Sequence, residues 1–226
     1  MDYKEAVNKQ LEQDIIISEY VKKLPLKEIG NAKIDSFTVD SAEVERCKMD
    51  AMFKGTYGEY YDFKPGTYKR LLINNKTMMS NTPMEIRTNR GVMNNANGHV
   101  LIAGLGMGVI LMPIYKNKNV KSITVVEYNK SVIDLVKPCL PGDIKIIHKD
   151  IHEFEPEIKY DVIYFDIWLE IDSDNWDEMK KLTKKFKYKL NRSNSNCWMS
   201  SWRKDKIQSL VREEKNSVRW PNSIFG

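Results

Sequence analysis

The sequence predicts an α/β fold. The expected architecture is a doubly wound, mostly parallel sheet, preceded by a small N-terminal α+β region that contains a β-hairpin. Three observations carry this. From residue 99 onward, short apolar runs alternate with helical patterns, the mark of βαβ units. Those runs are continuously apolar, as strands covered on both faces are. The first of them opens directly onto a glycine-rich turn, VLIAGLGMGV at 100–109. The N-terminal region is assigned to 1–81 and the sheet domain to 82–226.

The elements follow in order. Residues 3–22 carry a rough apolar stripe at helical spacing. Lys33 to Val39 reads as a strand, and Asp40-Ser41 starts a helix that continues from Glu43 through Met52. The aromatic, glycine-bearing stretch 55–66 reads as a loop. Residues 68–73 and 76–79, joined by Asn74-Asn75, form a hairpin, because asparagine tolerates the positive φ of a tight turn. Thr82-Pro83-Met84-Glu85 predicts a helix start, with Thr82 as cap and Glu85 completing a capping box; the helix should run to about Asn95. Strands are expected at 99–103, 122–126, 144–147, 161–165 and 197–202. Helices are expected at 107–115, 130–136, 178–190 and 204–214.

Composition bounds the function. The chain has 226 residues, which suits one large domain or a core with a small attachment. Hydrophobic residues make up 42% and charged residues 30%, enough for a real core under a solvated surface. A net charge of +5 is mild and says little about partners. Cys47, Cys139 and Cys197 form no C-x-x-C pair, and His99, His148 and His152 lack ligand spacing with them, so no metal site is expected. The first residues are charged, without a signal-peptide core, and Val100–Tyr115 is too short and too broken to span a bilayer. A cytoplasmic setting is expected.

Gly104, Gly106 and Gly108 lie between a strand and a helix. Such a turn lets a ligand approach bare backbone and face a helix N-terminus. The spacing is G-x-G-x-G, with Val109 where the dinucleotide fingerprint places Gly or Ala, and no G-K-[ST] follows. Three acids then fall at successive strand ends. Glu127 ends the second strand, where a carboxylate can take both ribose hydroxyls. Asp150-Ile151 follows the third, and Asp166 ends the fourth. Each acid alone also reads as a cap or a solvated loop residue. In sequence they converge on the crevice where open α/β sheets bind ligands.

These motifs resemble those of the class I S-adenosylmethionine (SAM)-dependent methyltransferase superfamily, over about Thr82 to Trp168. VLIAGLGMG is similar to its first motif, VVEYN (125–129) to the ribose motif, HKDI (148–151) to the adenine motif, and YDVIYFD (160–166) to the fourth-strand motif. The fold implied is Rossmann-like. Within the superfamily, TVVEYNKSVIDLV and the hairpin-bearing N-terminus look most like the aminopropyltransferase (spermidine synthase) branch. The resemblance implies that Gly104, Gly106 and Gly108 pack against the methionine end of the cofactor and that Glu127 binds the ribose. Asp150 would accept from the adenine amino group, Ile151 would line the ring, and Asp166 would face the reacting centre. The implied cofactor is SAM, or decarboxylated SAM for aminopropyl transfer. Ile102 and Met107 stand where relatives carry acids, Asp166-Ile-Trp-Leu169 keeps one acid of a D-x-x-D, and no N-P-P-Y motif occurs.

Methyl transfer from a sulfonium asks mainly for alignment. Asp166 is the candidate base or substrate positioner. Trp168 is the candidate substrate contact, by stacking or a cation–π term, with plain packing as its other reading. Packing is expected of Trp198 and Trp202. The lysine-rich stretch KKLTKKFKYKLNR (180–192) reads as a basic solvated face, with nucleic-acid attraction as the alternative. A small-molecule acceptor is expected and no membrane partner. The short segment after Trp202 leaves little room for a closing antiparallel hairpin, which suggests a homodimer covering the sheet edge. A non-catalytic nucleoside-binding module and a nicotinamide dehydrogenase are the rival functions, and Val109 counts against the latter.

Overall fold

The computed structural model describes residues 2–56, 58 and 60–219, with side chains to residue 216. Residues 220–226 of the expected sheet domain lie outside the described residues. In the sheet domain, β5 (Gly98–Ala103), β6 (Val120–Glu127), β7 (Lys145–His148), β8 (Val162–Phe165) and β9 (Trp198–Ser201) form one sheet in the order β7-β6-β5-β8-β9. All of its pairings are parallel. This is the Rossmann-like doubly wound order, and the expected fold class is the observed one. Valines, isoleucines and leucines fill β5, and Val100, Leu101, Ile102 and Ala103 are all fully buried because helices cover both faces.

The register brings the strand ends into a row. Ala103 pairs with Val126 on one side and with Phe165 on the other, and Glu127 pairs with His148. Successive strands lie to one side of β5 up to β7, and the chain then crosses to β8 on the other side. The crevice opens at that switch point, beyond the carboxyl ends of β5, β6 and β8.

The N-terminal region begins with α1 (Tyr3–Lys23). An antiparallel sheet follows, β1 (Lys27–Ile29), β2 (Ala32–Val39), β3 (Gly66–Ile73) and β4 (Lys76–Ser80), paired in that order. Helix α2 (Ser41–Phe53) is inserted after β2, and the Asp40 carboxylate accepts from the Glu43 N–H as its cap. The β3–β4 turn has positive φ at both Asn74 (50°) and Asn75 (65°), as the sequence predicts. Strand β1 has no periodicity of its own and forms through pairing with β2. Lys69 on β3 donates to the Val21 carbonyl (2.8 Å) and the Leu24 carbonyl (2.5 Å), capping the C-terminus of α1.

Apolar residues from both sides of residue 81 form one cluster. Ile17, Tyr20, Leu24, Ile34 and Leu71 pack with Val100, Ile102, Leu111 and Val125. The hairpin is therefore held against the mouth of the crevice by the same core that supports the sheet.

Three sequence expectations are corrected. The helix expected from Pro83 to Asn95 is two short ones, α3 (Pro83–Thr88) and α4 (Arg90–Asn95), because Asn89 leaves helical geometry (φ −100°, ψ 2°). The Asn89 side chain accepts from the Tyr164 hydroxyl (2.9 Å), a tertiary bond that competes with the helix. Helix α5 (Leu111–Lys116) starts four residues later than expected, because Gly106 (φ 51°) and Gly108 (φ 73°) sit in the left-handed region. The glycine turn consequently borders the crevice with its own backbone, and Ile110, the N-cap of α5, lines it as well. Helix α7 (Asn175–Phe186) ends early, since Tyr160 exchanges backbone hydrogen bonds with Lys189 and Asn191 and draws that segment beside β8. Helix α6 (Lys130–Val136) forms where expected, with Asn129 capping Ser131 and Val132, and α8 (Lys204–Arg219) follows β9.

Candidate functional site

A cavity of about 310 Å³ lies between the strand ends and the hairpin. The sheet side contributes Gly104–Gly106, Val126–Tyr128, Lys149–His152 and Asp166–Leu169. The other side contributes Leu71, Ile73, Met78 and Met79 of the hairpin, with Glu85 and Trp202.

The glycines divide. Gly104 (φ 96°) lines the cavity and is held by its N–H to the Val126 carbonyl (2.9 Å). A Cβ there would lie 2.1 Å from the Asp166 carbonyl oxygen, so the close approach of the β5 and β8 ends excludes a side chain. Gly106 also lines the cavity, and a Cβ there would meet the Met79 thioether at 2.3 Å. The same sulfur accepts the Met107 N–H at 3.0 Å. Gly108 is not among the residues that line the cavity. It faces Tyr20, Leu140 and Val136 away from the cavity lining, and its missing side chain admits the Tyr20 hydroxyl. That hydroxyl donates to the Met107 carbonyl (2.9 Å) and fixes the loop to α1.

Glu127 stands where the ribose acid was expected, at the end of β6, buried and bordering the cavity. Its Oε2 accepts the Leu105 N–H (2.8 Å) and its Oε1 the Asn129 N–H (2.8 Å). Burial pushes its carboxyl up from the ordinary range. The N–H groups of Leu105, Asn129 and Tyr128 and the charge of His148 pull it back. A carboxylate offers about four acceptor sites, so these N–H groups leave acceptor capacity for a further donor.

Asp150 is exposed at the cavity edge, with Oδ1 accepting the His152 N–H (2.8 Å). Ile151 beside it is buried in the cluster with Val126 and Phe154, and it also lines the cavity. Trp168 lines the cavity while its ring packs in that cluster, and its Nε1–H donates to Glu178 Oε2 (2.5 Å). The other oxygen of Glu178 is 2.7 Å from His152 Nε2.

Asp166 lines the cavity beyond β8, its N–H donating to the Ala103 carbonyl (2.8 Å). Among the described residues no donor is bonded to its carboxylate. Burial, then the charge of Glu85, pushes it up to about 7. Glu85 is itself raised to about 7 by burial, against the opposing pull of Ser80 and of the Arg203 charge. Sequence reasoning missed Glu85 as a cavity residue because it reads as the far end of a capping box. Its carboxylate in fact accepts from the N–H (3.3 Å) and hydroxyl (3.5 Å) of Ser80, and Thr82 bonds through its hydroxyl to Ser80. Trp202, expected only to pack, also lines the cavity, with Nε1–H donating to Thr88 Oγ1 (3.0 Å). Trp198 stacks on Tyr164 with ring centroids 5.9 Å apart.

In the basic stretch 180–192, Lys185 donates to the His152 carbonyl and Lys189 to the Pro156 carbonyl, each at 2.7 Å, and Leu182 and Phe186 face the core. Among the described residues no group of three or more His, Cys, Asp or Glu is placed to hold a metal ion. No helix among them is long and apolar enough to cross a membrane.

No family model matches the chain, and no curated protein matches it either. Solved structures match in part. A DhpI complex with SAM and HEP has 13% identity and a TM-score of 0.40, over 55% of this chain and 60% of that one. A SAM-dependent methyltransferase from Mesorhizobium loti has 13% identity and a TM-score of 0.36, over 46% and 49%. Coclaurine N-methyltransferase, bound to N-methylheliamine and SAH, has 20% identity and a TM-score of 0.37, over 49% and 33%. The matched region thus spans about three-fifths of the DhpI chain and less of the others.

Proposed function

We propose that the chain is a SAM-dependent methyltransferase-like enzyme that acts on a small-molecule acceptor. The observation that carries this is Glu127. A carboxylate held by backbone N–H groups at the end of the strand beside the glycine turn keeps acceptor capacity toward the cavity. That is the chemistry a ribose diol requires. Asp150 and Ile151 at the next strand end supply an acceptor and an apolar wall for a base. Gly104 and Gly106 supply bare backbone to the remainder of the nucleoside. These residues fit SAM. When bound, SAM supplies an activated methyl group. The residues of this chain bind its nucleoside, orient the acceptor, and in Asp166 present a carboxyl able to hold a proton at neutral pH.

Titration calorimetry with SAM and with S-adenosylhomocysteine tests the reading. Binding is expected, and Glu127→Ala should weaken it about ten- to a hundredfold, the value of one or two charge-assisted hydrogen bonds. Absence of binding by either nucleoside in the parent chain rejects the reading. Decarboxylated SAM with putrescine in the same preparation separates aminopropyl transfer, whose product is spermidine.

A further inference from the structure

The charges of the chain are unevenly divided. The 26 residues from Met179 to Lys204 hold nine of its 36 Lys and Arg residues and none of its 31 Asp and Glu residues. The rest of the chain carries 27 cations against 31 acids and is net acidic. The fold gathers much of the excess on one face. Helix α7 turns Met179, Leu182 and Phe186 to the core, and Lys180, Lys181 and Lys184 stand exposed on its other side. Lys187 follows at the C-cap. Lys180 pairs with Asp177 at 2.6 Å, and Lys181 lies in the field of the same carboxylate. Among the described residues no acid pairs with Lys184 or Lys187. Like charges three or four positions apart on a helix repel, as Lys180 and Lys184 do, and a polyanion relieves that repulsion. Tyr188 adds a second feature. It is 72% exposed, yet its backbone is held on both sides. The Lys189 N–H donates to the Phe186 carbonyl (2.9 Å), the Lys189 carbonyl accepts the Tyr160 N–H (2.8 Å), and the Asn191 N–H donates to the Tyr160 carbonyl (2.7 Å). A fixed turn thus presents the ring outward, with Lys187 Nζ 4.6 Å from its centre.

We propose that the outer face of α7, with Tyr188 at its end, binds single-stranded nucleic acid. Lys180, Lys181, Lys184 and Lys187 meet phosphates along the strand, and Tyr188 is the platform on which a base stacks. A duplex keeps its bases stacked on one another and leaves Tyr188 unused. An anionic membrane calls for Leu, Phe or Trp exposed beside the lysines. Here Leu182, Phe186 and Leu190 are buried. An acidic protein segment brings charge without the π-faces of bases. None of these four lysines, nor Tyr188, lines the cavity, so the surface does not depend on what the cavity holds.

The test uses the full chain and a fluorescein-labelled oligothymidylate of about twenty nucleotides, read by anisotropy between about 50 and 200 mM KCl. Binding should weaken with salt at a log–log slope of about −2 to −3, the value for three or four phosphates of a single strand. The combined variant Lys181→Gln, Lys184→Gln and Lys187→Gln should lose at least about tenfold in affinity at about 50 mM KCl, and its slope should shrink by about 2. Tyr188→Ala should lose about five- to a hundredfold with the slope unchanged. S-adenosylhomocysteine affinity should stay within about twofold in both. Absence of oligothymidylate binding by the parent chain at the lowest salt overturns the proposal. So does competition by polyglutamate as strong as that by unlabelled oligothymidylate, or binding to phosphatidylserine vesicles with none to the oligonucleotide. Undiminished binding by the lysine variant, or a duplex bound as well as the single strand, overturns it too. The parent-chain competitions decide the matter even if a variant fails to fold. Nucleoside binding is read separately, so the failure of either reading leaves the other standing.

Discussion

Glu127 and Asp166 are both carboxyls at the ends of strands that flank β5, and both are pushed upward by burial. Their surroundings differ. Glu127 is wrapped by the backbone N–H groups of Leu105, Tyr128 and Asn129, so its local chain answers most of its needs. Asp166 has no such donor among the described residues and meets a second carboxyl, Glu85, brought to it from α3. One carboxyl is thus held largely by its own loop. The other keeps its proton to higher pH, because burial and the Glu85 charge both oppose its ionisation. A strand end can be a finished binding group or an unfinished one, and the loop that follows it decides which.

The comparison breaks most completely if the two halves are pushed apart. Gly104→Ala forces a Cβ to within 2.1 Å of the Asp166 carbonyl oxygen at a φ of 96°. The expected cost is about 3 kcal/mol or more, a fall in Tm of roughly 6–12 °C for a chain of this size, with loss of nucleoside binding. Calorimetric melting checks it, and an unchanged Tm contradicts the close approach.

The pH dependence of the pair sharpens the contrast. Glu85 and Asp166 titrate higher in the fold than in the unfolded chain, each at about 7. The folded state therefore keeps protons that the unfolded chain releases. The stability these groups contribute is complete below about pH 4 and is lost as pH rises through about 7. Glu85→Gln should accordingly gain on the parent chain by about 2 kcal/mol between about pH 5 and about pH 8. Glu127→Gln should instead cost about 1–2 kcal/mol at both, because its amide turns a donor toward a backbone N–H. Melting curves of the two variants at the two pH values read this directly; the same sign for both would erase the distinction.

The smallest effect concerns the glycine that does not reach the cavity. Tyr20→Phe removes the bond to the Met107 carbonyl and should cost about 1 kcal/mol, a Tm change of roughly 2–4 °C. S-adenosylhomocysteine affinity should stay within about twofold. A larger loss of affinity would return Gly108 and its loop to the binding site.

Much of this was legible in the chain. Continuous apolar runs set β5 to β9, Asn74-Asn75 set the hairpin, and Asn129 set the start of α6, because each depends on residues within a few positions of one another. Glu127 was legible for the same reason, being one strand end after a glycine turn. Glu85 was not. Its local signature is a helix cap, and only the docking of the hairpin region against the sheet turns it toward Asp166. Gly106 and Gly108 look alike in sequence, yet one faces Met79 at the cavity and the other Tyr20 beneath it. Short-range pattern fixes which residues form strands and turns, since steric and hydrogen-bond preferences act along the chain. Which carboxyl meets a backbone donor and which meets another carboxyl depends on contacts between residues about eighty positions apart, and these exist only once the two sheets share a core.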